Sequence, residues 1–184
     1  IEVSRPRAVH GPPVMGACLQ FSSDQWATEN IMDPEIILIR LRKESQKKCS
    51  LTPLRQRDDL PIEWIHCDIG DAIEVGEVTL LHPGGEPLSQ ADNQRPLLLV
   101  DSSWRDLPRM LETVNGDFHK RCLPKDLQTA YPRKSKLFED PETGLASIEA
   151  LHAALTLLDK RDDSLLEGYY WASAWLQTNP GLYA

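Results

Sequence analysis

Leu97-Leu98-Leu99-Val100-Asp101-Ser102-Ser103-Trp104 is an apolar run that stops abruptly at a carboxylate, two hydroxyls and an indole. Four consecutive branched aliphatics after Pro96 predict a strand covered on both faces, the usual state in a parallel sheet. In an open parallel sheet ligands sit beyond the carboxyl ends of the strands, so Asp101 to Trp104 fall where a binding site is expected. A strand end whose Asp caps the next helix and whose Trp fills the core explains the same pattern without any ligand.

On the amino-terminal side, Pro34 introduces Glu35-Ile36-Ile37-Leu38-Ile39-Arg40-Leu41-Arg42, a β-branched run that predicts the first strand. Further strands are predicted at Ile62–His66 and at Val78–His82, the latter closed by Pro83-Gly84-Gly85. Leu88–Asp92 reads as a short helix or turn. Beyond Trp104, Arg105 to about Thr113 is predicted helical, with Leu107, Met110, Leu111 and Val114 on one face. Cys122 to Ala130 is expected to be a strand or extended segment, and Tyr131 to Gly144 a long loop. Ser147 then starts a helix with Ile148, Leu151, Ala154, Leu155 and Leu158 inward, and Glu149 suits the dipole of its first turn. A last helix is expected over Leu165–Gln177, its Tyr169, Tyr170, Trp171 and Trp175 read as core. Residues 1–33, with Pro6, Pro12 and Pro13 and no period, read as an extended arm.

A chain of 184 residues can bury an ordinary core without disulfides. With 20 Lys+Arg against 28 Asp+Glu, the net charge of -8 argues against nucleic-acid binding by bulk charge, though not against a local basic patch. Two such patches exist, Arg40 to Lys48 with Arg55 and Arg57 behind, and Arg133, Lys134 and Lys136; each is equally a solvated turn. Cys18, Cys49, Cys67 and Cys122 have no zinc or redox spacing, and the five histidines share no ligand spacing, so no metal is expected. No apolar run approaches the ~20 residues of a membrane span. The expectation is a soluble cytoplasmic protein with no membrane partner. No phosphate-binding glycine loop, dinucleotide fingerprint or hydrolase elbow occurs.

Three separated pieces, taken together, resemble one family. Lys47-Lys48-Cys49-Ser50 with Leu54 is similar to a "DPKKCS…L" segment, and Leu88-Ser89-x-Ala91-Asp92 followed by Leu99 to Trp104 is similar to "LSPAD…VDCSW". Leu123-Pro124, Thr129-Ala130-Tyr131-Pro132 and Leu145-Ala146-Ser147-Ile148-Glu149-Ala150 resemble the remaining "LP.L.AANP…L..VEA" stretch. This is the pattern of the aminocarboxypropyltransferases that modify small-subunit ribosomal RNA, a SPOUT-like knotted group using S-adenosylmethionine. The DTW-domain transferases, which act on uridine in transfer RNA, are echoed by Asp101…Trp104 and Leu145–Ala150. Ser45 and Ser102 stand where the ribosomal family has Asp and Cys, Tyr131 to Lys136 replaces its "NPVNYG" loop, and the DTW cysteine cluster is missing.

The resemblance implies an α/β fold, a parallel SPOUT-like knotted domain. Residues 34–130 would form a sheet half, and residues 131–184 a mostly helical half closing the cofactor cleft. It implies transfer of the 3-amino-3-carboxypropyl group of S-adenosylmethionine to a ring nitrogen of a (pseudo)uridine in ribosomal RNA. The alternatives are the same transfer to transfer RNA, RNA methylation, and a non-catalytic RNA-binding assembly factor. Asp101 would take the N–H proton of the base or steady the cofactor's cation. Trp104 would meet the methionine portion, and Ser103 would also bind the cofactor. Leu123, Thr129, Ala130 and Tyr131, with Leu145, Ala146 and Ser147, would form the adenine and ribose pocket, and Leu88, Ser89 and Asp92 another wall. Lys47, Lys48, Arg133, Lys134 and Lys136 would meet RNA phosphates.

Overall fold

The computed structural model describes residues 35–43, 49–132 and 144–183. The chain divides into Ile1–Ile31 and Met32–Ala184. The first unit, and with it the expected arm, lies outside the described residues, and everything below concerns the second.

Five strands, β1 (Ile36–Leu41), β2 (Ile62–Cys67), β3 (Ile73–Pro87), β4 (Leu97–Asp101) and β5 (Val114–Cys122), form one sheet in the order β2-β1-β4-β3-β5. Every pairing is parallel. All six residues of β1 and the first four of β4 are buried, because each strand has neighbours on both edges and layers on both faces. That is why their sequences run apolar without alternation.

The register Ile36↔Leu97 to Arg40↔Asp101 puts Ile36, Leu38, Leu97 and Leu99 on one face and Ile37, Ile39, Leu98 and Val100 on the other. The first face packs under α2 (Ser147–Leu157) and α3 (Ala172–Thr178), through Ile148, Leu151, Leu155 and Trp175. The second packs against Met110 of α1 (Leu107–Leu111), with Leu41, Val78, Leu80 and Val114.

Several expectations need correction. Residues 123–130 are not a strand; the strand lies earlier, at Val114–Cys122. β5 is an edge strand whose Asn115, Gly116 and Asp117 are exposed, so polar residues cost little there. The last helix does not run from Leu165. Gly168, at φ +76°, breaks it into a 3-10 turn (Asp163–Leu166) and α3. Tyr169 and Trp175 are core as expected, whereas Tyr170 is 87% exposed. The helix after Trp104 is also shorter than expected, since Thr113 already turns the chain into β5. Expected β3, Val78–His82, is the centre of a longer strand that leaves and rejoins β5 between Leu81 and Glu86. Gly85 closes that excursion, where a Cβ would stand 2.5 Å from the Arg121 nitrogen.

Candidate active site

The carboxyl ends of β1 and β4 lie side by side, and there the sheet ends in charge. Asp101 Oδ1 accepts from Ser147 Oγ at 2.5 Å, at the start of α2. Its Oδ2 accepts from Cys49 Sγ at 3.0 Å and lies 3.5 Å from Arg40 Nε. Arg40 is 1% exposed, next to last in an otherwise apolar strand. A guanidinium so placed needs a counter-charge, and its register partner supplies one. Burial, then the charge and hydrogen bond of Asp101, push the Cys49 thiol up to about 12. Cys49 is therefore a thiol that donates, and no thiolate nucleophile is at hand.

A second buried carboxylate fixes the neighbouring loop. Glu149, with 0% exposure, accepts from Thr129 Oγ1 (2.6 Å), the Ala130 N–H (2.9 Å), the Ala146 N–H (2.9 Å) and Tyr169 Oη (2.9 Å). The contact to the Ala146 N–H is the returning half of a capping box, in which the carboxylate three residues on accepts from the N-cap N–H; Ala146, with only a methyl, has no forward half to offer. Asn179 holds the other end of this loop, accepting from the Gln128 N–H (2.8 Å) and donating to its carbonyl (2.9 Å). Tyr131 N–H donates to Thr129 Oγ1 at 3.1 Å, and the Tyr131 ring meets the edge of Trp171. Side chains, not a sheet partner, satisfy this backbone, which is why an apolar-looking stretch is not a strand.

The structure thus brings Asp101 to Ser147, and Thr129, Ala130 and Ala146 to one carboxylate, with Tyr131 bonded to Thr129. Leu88 is in the core that α2 covers, with Leu123, Ala130, Tyr131 and Leu145 packed against it. Trp104 is half-buried, and its Nε1 is buried with no hydrogen-bond partner. Ser89 and Asp92 close on each other: Asp92 Oδ2 accepts from Ser89 N (3.1 Å) and Oγ (3.2 Å), and Oδ1 accepts from Arg121 Nε (2.8 Å). Burial pushes the Asp92 carboxyl up, but the Ser89 N–H and the Arg121 guanidinium outweigh it and hold the group below the usual range. Ser103 is exposed, and its hydroxyl and carbonyl serve Asp106 and Leu107 at the start of α1. Lys47, Lys48, Arg133, Lys134 and Lys136 lie outside the described residues.

Sequence reasoning undervalued Glu149, which the helix dipole suffices to explain, passed over Asn179, and put Arg40 in a basic patch, whereas the structure buries it against Asp101. For Arg40 a signal existed, since a charged residue inside a run of β-branched aliphatics is rarely buried without a partner.

This architecture has a solved counterpart. The chain is similar to the SAM-dependent rRNA:acp-transferase Tsr3 from Vulcanisaeta distributa, with a TM-score of 0.62 and 23% identity over 83% of this chain and 82% of that one. At that identity the likeness establishes a shared α/β fold. No protein-family model and no curated protein matches the sequence.

A separate cleft of about 460 Å³ lies at the opposite, amino-terminal ends of the strands, lined by Glu35, Ile37, Ile65, Glu74, Arg95 and Lys160. Its cations are already matched, Lys160 to Glu35 and Arg95 to Glu77, and it is remote from Asp101. Among the described residues no helix is long and apolar enough to cross a membrane, and no group of His, Cys, Asp and Glu is arranged to hold a metal.

Proposed function

We propose that the chain transfers the 3-amino-3-carboxypropyl group of S-adenosylmethionine to a ring nitrogen of a (pseudo)uridine in ribosomal RNA, as a cytoplasmic enzyme. The observation that carries this reading is the junction of Asp101, at the end of β4, with Ser147 at the start of α2, beside a loop pinned by Glu149. It supports the reading because these are the segments that carry the family resemblance, and the fold is shared with a solved SAM-dependent rRNA:acp-transferase. Residues 34–130 form the sheet half in this reading. Residues 131–184, following a SPOUT-like knotted path, form the helical half that closes the cleft.

The residues present suit the cofactor. Trp104 Nε1 is a buried donor without an acceptor, a group that a ligand carboxylate or hydroxyl would satisfy. Leu123, the backbone of Thr129 to Tyr131, and Leu145 to Ser147 supply an apolar, pinned wall for adenine and ribose. Leu88, with the Ser89–Asp92 turn stiffened by Arg121, supplies another, and Ser103 lies next to Trp104 in the chain.

When bound, S-adenosylmethionine supplies an electrophilic γ-carbon and departs as methylthioadenosine, a neutral thioether that needs no proton. The protein's own task is then positioning and removal of one proton. Asp101 would receive the N–H proton of the pyrimidine nitrogen that is modified. Arg40, Cys49 and Ser147 hold the carboxylate in place, and a carboxylate with about four lone-pair directions still has room for another donor. Lys47, Lys48, Arg133, Lys134 and Lys136 meet RNA phosphates in this reading.

Mass spectrometry of the thioether released from S-adenosylmethionine in the presence of ribosomal RNA tests the assignment. Methylthioadenosine is the expected product. S-adenosylhomocysteine would instead assign methyl transfer, and the absence of either product together with no calorimetric binding would leave an RNA-binding factor that has lost the cofactor.

A further inference from the structure

We infer that Arg55 and His66 form a phosphate subsite beside Asp101, and that it takes a backbone phosphate of the RNA next to the modified nucleotide; the identity of the ligand rests on the transferase reading above. Arg55 belongs to a 3-10 turn (Thr52–Gln56) a few residues after Cys49. Its guanidinium lies over the Trp64 ring, 5.8 Å from the centroid, and Trp64 stacks on His66 at 6.4 Å and 26°. Arg42, Arg57, Arg95 and Arg121 each face a carboxylate, whereas among the described residues Arg55 faces none. Arg55 Nη1 and His66 Nε2 are both buried without a hydrogen-bond partner. Two unsatisfied nitrogens on residues that both pack against Trp64, at least one of them cationic, call for an anionic acceptor.

The place of this corner in the sheet connects it to the chemistry. His66 is the register partner of Arg40, which is the register partner of Asp101, so the three share one face at the carboxyl ends of β2, β1 and β4. Two strand spacings separate His66 from Asp101, roughly 10 Å. Burial first, and then the charges of Arg55, Arg40 and Arg42, hold His66 below its usual range, which registers a positive potential at this point of a chain whose net charge is -8. Stacked on an aromatic face, a planar guanidinium keeps its edge free for a bidentate phosphate contact. The two polar residues and the ring between them reached this corner from separate segments, the turn after β1 and the strand β2.

The test measures binding of a fluorescein-labelled oligouridylate as a function of salt, with S-adenosylmethionine affinity measured in parallel by calorimetry. Arg55→Ala is expected to weaken oligouridylate binding several-fold and to reduce the slope of log K against log[salt] by about 0.7, the value for one phosphate contact on a single strand. Arg55→Lys is expected to keep most of the slope, and S-adenosylmethionine affinity to stay unchanged in both. An unchanged slope in Arg55→Ala overturns the subsite, as does equal loss in Arg55→Lys. Weakened cofactor affinity with RNA binding intact also overturns it, by assigning the corner to the methionine carboxylate. Should Arg55→Ala not fold, Arg55→Gln keeps the stem on Trp64 and is judged by the same slope. If the wild-type protein binds no S-adenosylmethionine yet the slope falls as expected, the subsite stands and the transferase reading fails.

Discussion

Trp104 carries an indole N–H that is buried and has nothing to donate to. Such a group costs about 1–3 kcal/mol until an acceptor arrives, so it is retained against stability unless a ligand satisfies it. Replacing Trp104 with Phe keeps most of the ring and removes the donor. We expect the Phe variant to be at least as stable as wild type but to bind S-adenosylmethionine about ten-fold more weakly by calorimetry, within the range for a lost hydrogen bond to a charged group. Undiminished affinity would remove Trp104 from the pocket. Asp101 differs in kind, since its oxygens already serve Ser147, Cys49 and Arg40, so any substitution there disturbs the buried guanidinium as well as the chemistry.

At the scale of elements, Glu149 does for the 127–131 loop what a neighbouring strand does for a ladder. One carboxylate joins that loop, the first turn of α2 and Tyr169. Glu149→Gln preserves volume but replaces one acceptor oxygen by a donor among four groups that all donate. The expected result is a loss of about 2–4 kcal/mol in chemical denaturation, since buried networks broken on one side are costly. If the loop is a cofactor wall as proposed, the Michaelis constant for S-adenosylmethionine should rise more than kcat falls. A fall in kcat alone would show that Glu149 acts on the chemistry instead. The sequence allowed the elements β1, β2, β4 and α2 to be read from uninterrupted or periodic apolar residues, and the junction of Asp101 with Ser147 was legible from motif order. The loop over 123–130 was not, because its backbone partners are Glu149 and Asn179, about 20 and 50 residues further on. Local composition carries no trace of them. Nor did the polar edge strand β5 announce itself, for the sheet uses it on one edge only.

For the molecule as a whole, the helical layer is tied together through His152, which is 0% exposed. Trp175 Nε1 donates to its Nδ1 at 3.1 Å, and its Nε2 lies 3.0 Å from Asp163 Oδ1, so α2, α3 and the turn before α3 meet on one imidazole. Because an indole only donates, Nδ1 accepts and the bond to Asp163 is made by Nε2–H. Arg161 first, and His152 second, lower the Asp163 carboxyl from 3.8 to about 2. A carboxyl depressed in the folded state contributes stability above its unfolded value and loses it as pH falls through the folded one. The stability difference between wild type and Asp163→Asn should therefore be constant from pH 7 to about 5 and vanish between about pH 4 and 2, as read by urea titration at each pH. A difference independent of pH would show that the carboxylate's charge has no part in it.

The bonds of Asp101 reach 46 residues forward to Ser147 and 52 back to Cys49. Contacts between such distant positions form slowly and only after long stretches of chain have been made, and an all-parallel sheet offers no hairpin from which to start. A nascent chain that ends after β5 already holds every strand yet has no hydroxyl to meet the carboxylate and no lid of helices above it. The junction of Asp101 with the start of α2 is thus completed only once the helices after β5 have been made.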